Sequence, residues 1–586
     1  MNRVTKVKLN WWQTRAFVVA MVLVAMIPLV WPDIPPLVDL PGHMGRYRVQ
    51  QAYDSVPWLK DWYNFQWSLI GNLGVDLLVI PLGALIGLEA AVKLIVIAIP
   101  ALTALGLLWI AREVHGRIPA TALFALPLVY SFPFYFGFVN FALSMALALN
   151  AFALWLRLGR LNKFRLRAAI FVPLSFIIWV AHTYGWGLLG LLAFSGELVR
   201  ERDRREDRWQ SWIAAAFYAG LHCIVLAGPA VLMVAWRTGH VSGQTFDWFN
   251  WRAKMLWVTQ VFRDRWQLFD LSCLAVLYLV LLRGLRDPNI QYSRNLTLSA
   301  LLLLAVYILL PRVVFGSAYA DMRLVPYIFM VALIAIRPRP GLSMRRAHII
   351  AAIGLAFFGV RMGATAASFY LYDKAYDRNL AALNHLPVGA RLVTFVGETC
   401  YNEWKMTRLQ HLAGIALERR LAYANDQWSM EGGQLLTVRF PEGQGYRHDP
   451  SEIVSDVQCP REWWRPIAGA LAGFPRSAFD YVWMIEPPAY DKRLEAGLIP
   501  VWRDGSNALF RIDHDAAAPR LRMEDLGPYG PEMFARARHD KRLAARLALS
   551  DDGKNRVAKD GPKSASVTKN DVPGHPDRLK GASSPR

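Results

Sequence analysis

The sequence is poor in charge and in cysteine, and each shortage removes a class of protein. Only 19% of its 586 residues are Asp, Glu, Lys or Arg, while 54% are hydrophobic, and the mean hydropathy is positive. A soluble chain of this length cannot hide that much apolar surface in its cores, so repeated membrane crossings follow. Four cysteines, with no C-x-x-C pair and no cysteine–histidine cluster at zinc-ligand spacing, argue against a structural zinc site and a disulfide-dense scaffold. Acidic residues are outnumbered, and the net charge is +21. No nucleic-acid-binding motif accompanies that charge. Lys and Arg recur instead in short clusters between apolar runs, as the positive-inside bias produces.

What is present is a series of apolar runs. The first, 16–31, sits behind a basic start (Arg3, Lys6, Lys8, Arg15) and between tryptophans, and no small-residue cleavage site follows it. It reads as an uncleaved first helix with its N-terminus in the cytoplasm. Further segments are 75–87, 91–111, 120–130, 141–156, 168–181, 185–199, 212–234, 268–282, 296–310, 326–336 and 348–370. Several fall short of the roughly 20 residues of an upright span. Basic segments starting at Arg157, Arg200, Arg283 and Arg337 are expected in the cytoplasm. Everything after Tyr370 is then extracytoplasmic, and 75–87 is expected to be half-inserted or kinked, the alternative being that one of the short later runs is the one that does not span.

The fold expected is a polytopic α-helical membrane protein of about 11–12 hydrophobic segments with a C-terminal extracytoplasmic α/β domain. Residues 1–371 form the membrane domain, with an acidic first loop at 32–72. Residues 372–515 read as a soluble domain: helix from Lys374, strand from Ala390, helix from Arg408, strand from Phe479, and a hairpin about Asp504-Gly505. Cys400 and Cys459 are its only cysteines and could pair in an oxidising location, although spacing alone does not bring them together. The charged segment 516–586 cannot bury a core and reads as a disordered tail.

The densest polar stretch follows the first span: "DIPPLVDLPGHMGRYRVQ", from Asp33. Pro35-Pro36 forbid helix, whereas Pro41 suits a first turn. A helix from there carries His43, Arg46, Gln50 and Asp54 on one face, with Asp39 just before it. The following "WLKDWYNFQW" suits a helix lying in the headgroup layer.

At this loop the chain resembles the integral-membrane glycosyltransferases of the GT-C fold superfamily, which use polyprenyl-phosphate sugars. The likeness covers the layout of most of the chain and, loosely, the segments "FYFGFVNF" and "ADMRLVP". It implies an acidic residue after the first span as the catalytic carboxylate, here Asp39 or Asp33, and a lipid-linked sugar donor. The implied acceptor is a glycan, lipid or protein, and the implied setting is a bacterial-type inner membrane. The sequence requires no cofactor, and the loop lacks the D-x-D motif that would support a divalent metal.

Transfer needs a base for the acceptor hydroxyl and cations for the departing phosphate. Asp39 is the candidate base, with His43 to orient it, and Asp33 is the other acidic candidate. Arg46, Arg312 and Arg323, with Asp321 between the last two, are candidates for phosphate. The loop 236–266 adds Arg252, Lys254, Arg263 and Arg265 among aromatic residues. Each has a plainer reading: Asp39 as a helix cap, Asp33 as the mark of a helix leaving lipid, the arginines as snorkelling residues, and His182 as a hydrogen-bonded core histidine. A lipid or glycolipid flippase, or a non-catalytic scaffold for envelope polysaccharide assembly, remains the alternative function.

Overall fold

A computed structural model describes residues 9–206, 208–236, 244–339, 343–400, 403–429, 433–459 and 464–517. The basic residues Arg3, Lys6 and Lys8, part of the loop 236–266, and nearly all of the expected tail lie outside the described residues. The chain divides into two compact units. One comprises the described parts of Met1–Pro35, Leu69–Val241 and Thr245–Leu371; the other, those of Pro36–Ser68, Ser242–Gln244 and Tyr372–Arg586.

The first unit is helical. Among the described residues, five helices are long and apolar enough to cross a membrane: Leu88–His115, Val139–Arg160, Phe164–Ala181, Gln267–Arg286 and Met344–His385. A sixth results if Gln210–Leu226 and Gly228–Val234, bent by 73°, count as one span. Arg15–Leu29, Gly74–Ile86, Ala120–Tyr135, Arg294–Leu309 and Met322–Ile334 are shorter apolar helices. The protein is thus a multi-pass membrane protein with a C-terminal α/β domain. Leu88–His115 and Val139–Arg160 pack along each other. A Cβ on Gly106 would stand 2.8 Å from the Leu149 Cβ, so the small residue sets their approach. Residues 120–129 form a 3-10 helix rather than an α-helix, flanked by Pro119 and interrupted by Pro127.

Charge inside this unit is paired. Arg361 and Asp270, each 1% exposed, form an ion pair, and Arg361 also donates to the Phe262 carbonyl at 2.7 Å. Asn140, in "FVNF", accepts from Val75 N at 2.6 Å and donates to Asp76 at 2.9 Å, bracing the start of Gly74–Ile86.

The second unit is built on a six-stranded mixed sheet. From one edge its strands are Arg465–Pro466, Ile453–Ser455, Leu392–Gly397, Tyr481–Ile485, Asn507–Ile512 and Leu498–Asp504. The first four run parallel, and the last two form the expected antiparallel hairpin, with Gly505 at φ +59°. Leu392–Gly397 reads LVTFVG and is buried along nearly its whole length, the pattern of a strand covered on both faces. Cys400 and Cys459 are joined by a disulfide.

Four expectations change here. The helix from Lys374 is no separate element but the end of Met344–Leu380. The helix expected from Arg408 begins only at Ala413 and ends at Arg420, where Leu421 turns left-handed at φ 48°. The interfacial helix over "WLKDWYNFQW" is one turn, Leu59–Trp62, followed by the strand Tyr63–Phe65 paired with Leu436–Val438. Trp62 and Phe65 are buried in the unit, so tertiary pairing overrides the interfacial pattern. Pro36–Ser68, kept with the membrane domain in the sequence reading, folds with this second unit.

Candidate functional site

The helix Leu40–Ala52 begins with proline in its first turn, where a missing N–H costs nothing. Asp39 holds the N-cap position, yet its side chain accepts no capping hydrogen bond. Against this helix packs Ala413–Arg420, and glycines set the approach. A Cβ on Gly414 would stand 2.2 Å from the Pro41 carbonyl oxygen, and one on Gly45 would stand 2.8 Å from the Gly414 carbonyl oxygen. Such closeness admits only glycine. It brings His411, in the turn that leads into the second helix, to Asp39, with Nε2 3.9 Å from Oδ1.

His411 collects further acids. Its Nε2 is 3.9 Å from Asp449 Oδ1, and its Nδ1 lies 3.2 Å from the Asp426 carbonyl oxygen. A carbonyl only accepts, so Nδ1 carries the ring proton and Nε2 presents a lone pair to Asp39 and Asp449. Burial pushes the imidazole down to about 4, so the ring is neutral at pH 7 and these contacts are not ion pairs. Trp428 lies against both His411 and His43, with ring centroids 4.5 and 4.8 Å away. Gln427 donates to the Gly42 carbonyl at 3.2 Å, tying this loop to the first helix. Arg408, fully buried, donates to the Pro36 carbonyl at 2.8 Å and holds the approach to Asp39.

Asp426 and Glu452 are fully buried, and Asp449 is mostly so. Burial pushes Asp426 and Asp449 up to about 7. Glu452, 0% exposed, is raised too, first by burial and then by repulsion from Asp449 and Asp426. His43 is lowered by burial and by the nearby Arg46 and His411. The arrangement is a buried set of carboxyl groups around neutral imidazoles, able to accept protons or to bind a cation.

No family model and no curated protein matches this sequence. Among solved structures, the chain matches the crystal structure of ArnT from Cupriavidus metallidurans in the apo state. Identity is 13%, the match covers 85% of this chain and 97% of that one, and the TM-score is 0.42.

The predicted residues fall into both units. Asp39, His43 and Arg46 belong to the cluster's own helix region in the second unit, where Arg46 is buried with its guanidinium 5.0 Å from the Tyr47 ring centroid. Asp33 is exposed and belongs to the first unit. In that unit Asp321 is fully buried and paired with Lys254 at 3.1 Å. Lys254 also donates to the Tyr307 and Leu310 carbonyls at 2.7 and 2.8 Å, so it is tied to protein. Arg312 pairs with Asp247 at 3.3 Å. Arg323 stacks on Phe138 at 4.1 Å, with Phe141 and Tyr184 further off. His182 accepts from Tyr184 N at 3.1 Å as the cap of Thr183–Asp203, the structural role.

Sequence reading missed His411, Asp426, Asp449 and Glu452. The available signals were faint: "ANDQW", and "HDPSE", with two acids three residues apart. Nothing local links them to Asp39.

Proposed function

We propose that this protein is a membrane glycosyltransferase that moves a sugar from a polyprenyl-phosphate donor to an extracytoplasmic glycan, lipid or protein acceptor. One observation carries the reading: Asp39, 8% exposed, leaves its helix uncapped and faces a neutral histidine at 3.9 Å. A carboxylate shielded from water beside a neutral imidazole is suited to take a proton as an acceptor hydroxyl attacks C1. Arg46, buried against the Tyr47 ring, is the proposed phosphate contact. Asp321 and Arg312, each held in an ion pair, keep their loop in place. His43 orients the acceptor, and Asp33 is dispensable. The resemblance of the acidic loop to GT-C enzymes supports the same chemistry. The disulfide fits an oxidising compartment, so we place the C-terminal unit outside a bacterial-type inner membrane.

The test is Asp39→Asn, which keeps size but cannot take up the proton. The variant should reach normal membrane levels and lose transfer by about 10²- to 10⁴-fold, read by mass spectrometry of lipid-linked sugars and envelope glycans. Asp33→Asn should remain active. Full activity of the Asp39 variant would remove the reading.

A further inference from the structure

We propose that His411, Asp449 and Glu452 form a binding site for one divalent cation. One donor atom from each lies within 4.8 Å of the other two. Two donors about 2.1 Å from a tetrahedral cation stand about 3.4 Å apart, so modest side-chain movement closes the set around an ion. Three features distinguish it from an acidic patch. First, Glu452 is 0% exposed, and outside the contact it makes with Asp449 within the cluster neither of its carboxyl oxygens meets a hydrogen-bond partner among the described residues. A buried carboxylate without a donor is costly, and a cation would satisfy it. Second, the His411 ring is oriented as a ligand. Its Nδ1 proton is engaged by the Asp426 carbonyl at 3.2 Å, which leaves the Nε2 lone pair facing the acids, the outer-shell arrangement of metal-binding histidines. Third, no Lys or Arg pairs with Asp449 or Glu452 among the described residues, and Asp449 keeps 21% of its side chain exposed, which gives an ion a way in.

One imidazole with two carboxylates suits Zn2+ or Mn2+ rather than a thiolate-seeking ion. Asp39, with Oδ1 3.9 Å from the same Nε2, borders the site and would feel the ion's charge. The inference does not depend on glycosyl transfer, because binding is read directly.

The full chain, purified in detergent and stripped with a chelator, is titrated with Zn2+ by calorimetry, and bound metal is counted by mass spectrometry. The expected result is one equivalent on the wild type and at least tenfold weaker binding in Glu452→Gln, with melting temperature in chelator confirming that the variant folds. Asp449→Asn, at a more exposed position, should weaken binding similarly and decides the matter should Glu452→Gln fail to fold. With Mn2+, electron spin echo should show modulation from one imidazole nitrogen. No binding by the wild type, undiminished binding in the folded variants, or bound Mn2+ without nitrogen coupling would each overturn the assignment.

Discussion

Two clusters in this protein hold the same kinds of group and differ in what balances them. In the helical unit, Glu197, Glu201 and His222 lie together, but arginines meet both acids: Arg167 and Arg200 reach Glu197 at 2.6 and 2.8 Å, and Arg204 and Arg205 reach Glu201 at 2.9 and 2.8 Å. In the C-terminal unit, His411, Asp449 and Glu452 have no such partners among the described residues. A compensated cluster is a brace, because its charges already satisfy one another. An uncompensated one is held by the surrounding fold at a cost in stability, and that cost marks it as a site.

The comparison breaks most sharply through the brace. Arg167→Met removes a buried cation from Glu197 and should cost about 3–5 kcal/mol, the range for orphaning a buried charge. The expected readout is a large fall in melting temperature in detergent and in membrane yield. An unchanged melting temperature would mean that Arg200 suffices and that the network is looser than its distances imply.

A second test isolates burial of a carboxyl that belongs to neither cluster. Glu398 is 9% exposed and its carboxyl is pushed up to about 7, chiefly by burial, while Gln410 donates to it at 3.0 Å. The folded pKa exceeds the unfolded one, so stability is fullest below the ordinary value near 4.5 and falls as pH rises through about 7. Glu398→Gln should therefore be near-neutral at pH 4 and stabilising at pH 8, by up to about 3 kcal/mol at 1.36 kcal/mol per unit. A melting-temperature difference that does not grow with pH would show that this carboxyl ionises freely in the fold.

The smallest expected effect concerns geometry. Gly414→Ala places a Cβ 2.2 Å from the Pro41 carbonyl oxygen, and the two helices must part. Overpacking of this kind costs about 1–3 kcal/mol, and the separation should move His411 from Asp39, lowering transfer more than stability. Transfer at wild-type level in this variant would show that the close helix contact is not needed for the site.

The sequence by itself determined the parts whose causes are local. Long apolar runs fix where the helices lie, since burial follows hydrophobicity along a single segment. The Asp-Gly turn, Pro41 and the LVTFV run each specify their own element, and Asp39 drew attention because it follows the first span by a short proline-bearing link. The far end of the helix from Arg408 was misjudged because Leu421 takes a left-handed conformation that only its surroundings sustain. The interfacial helix failed for a similar reason: Tyr63–Phe65 finds its partner in Leu436–Val438, far along the chain. Only the tertiary structure joined Asp39 to His411, Asp449 and Glu452. That meeting depends on two helices touching at Gly414 and Pro41 and on a loop tied to the first helix through Gln427. Contacts between distant segments are set by packing that no local pattern encodes, so the site's acids looked like ordinary surface residues until the fold buried them together.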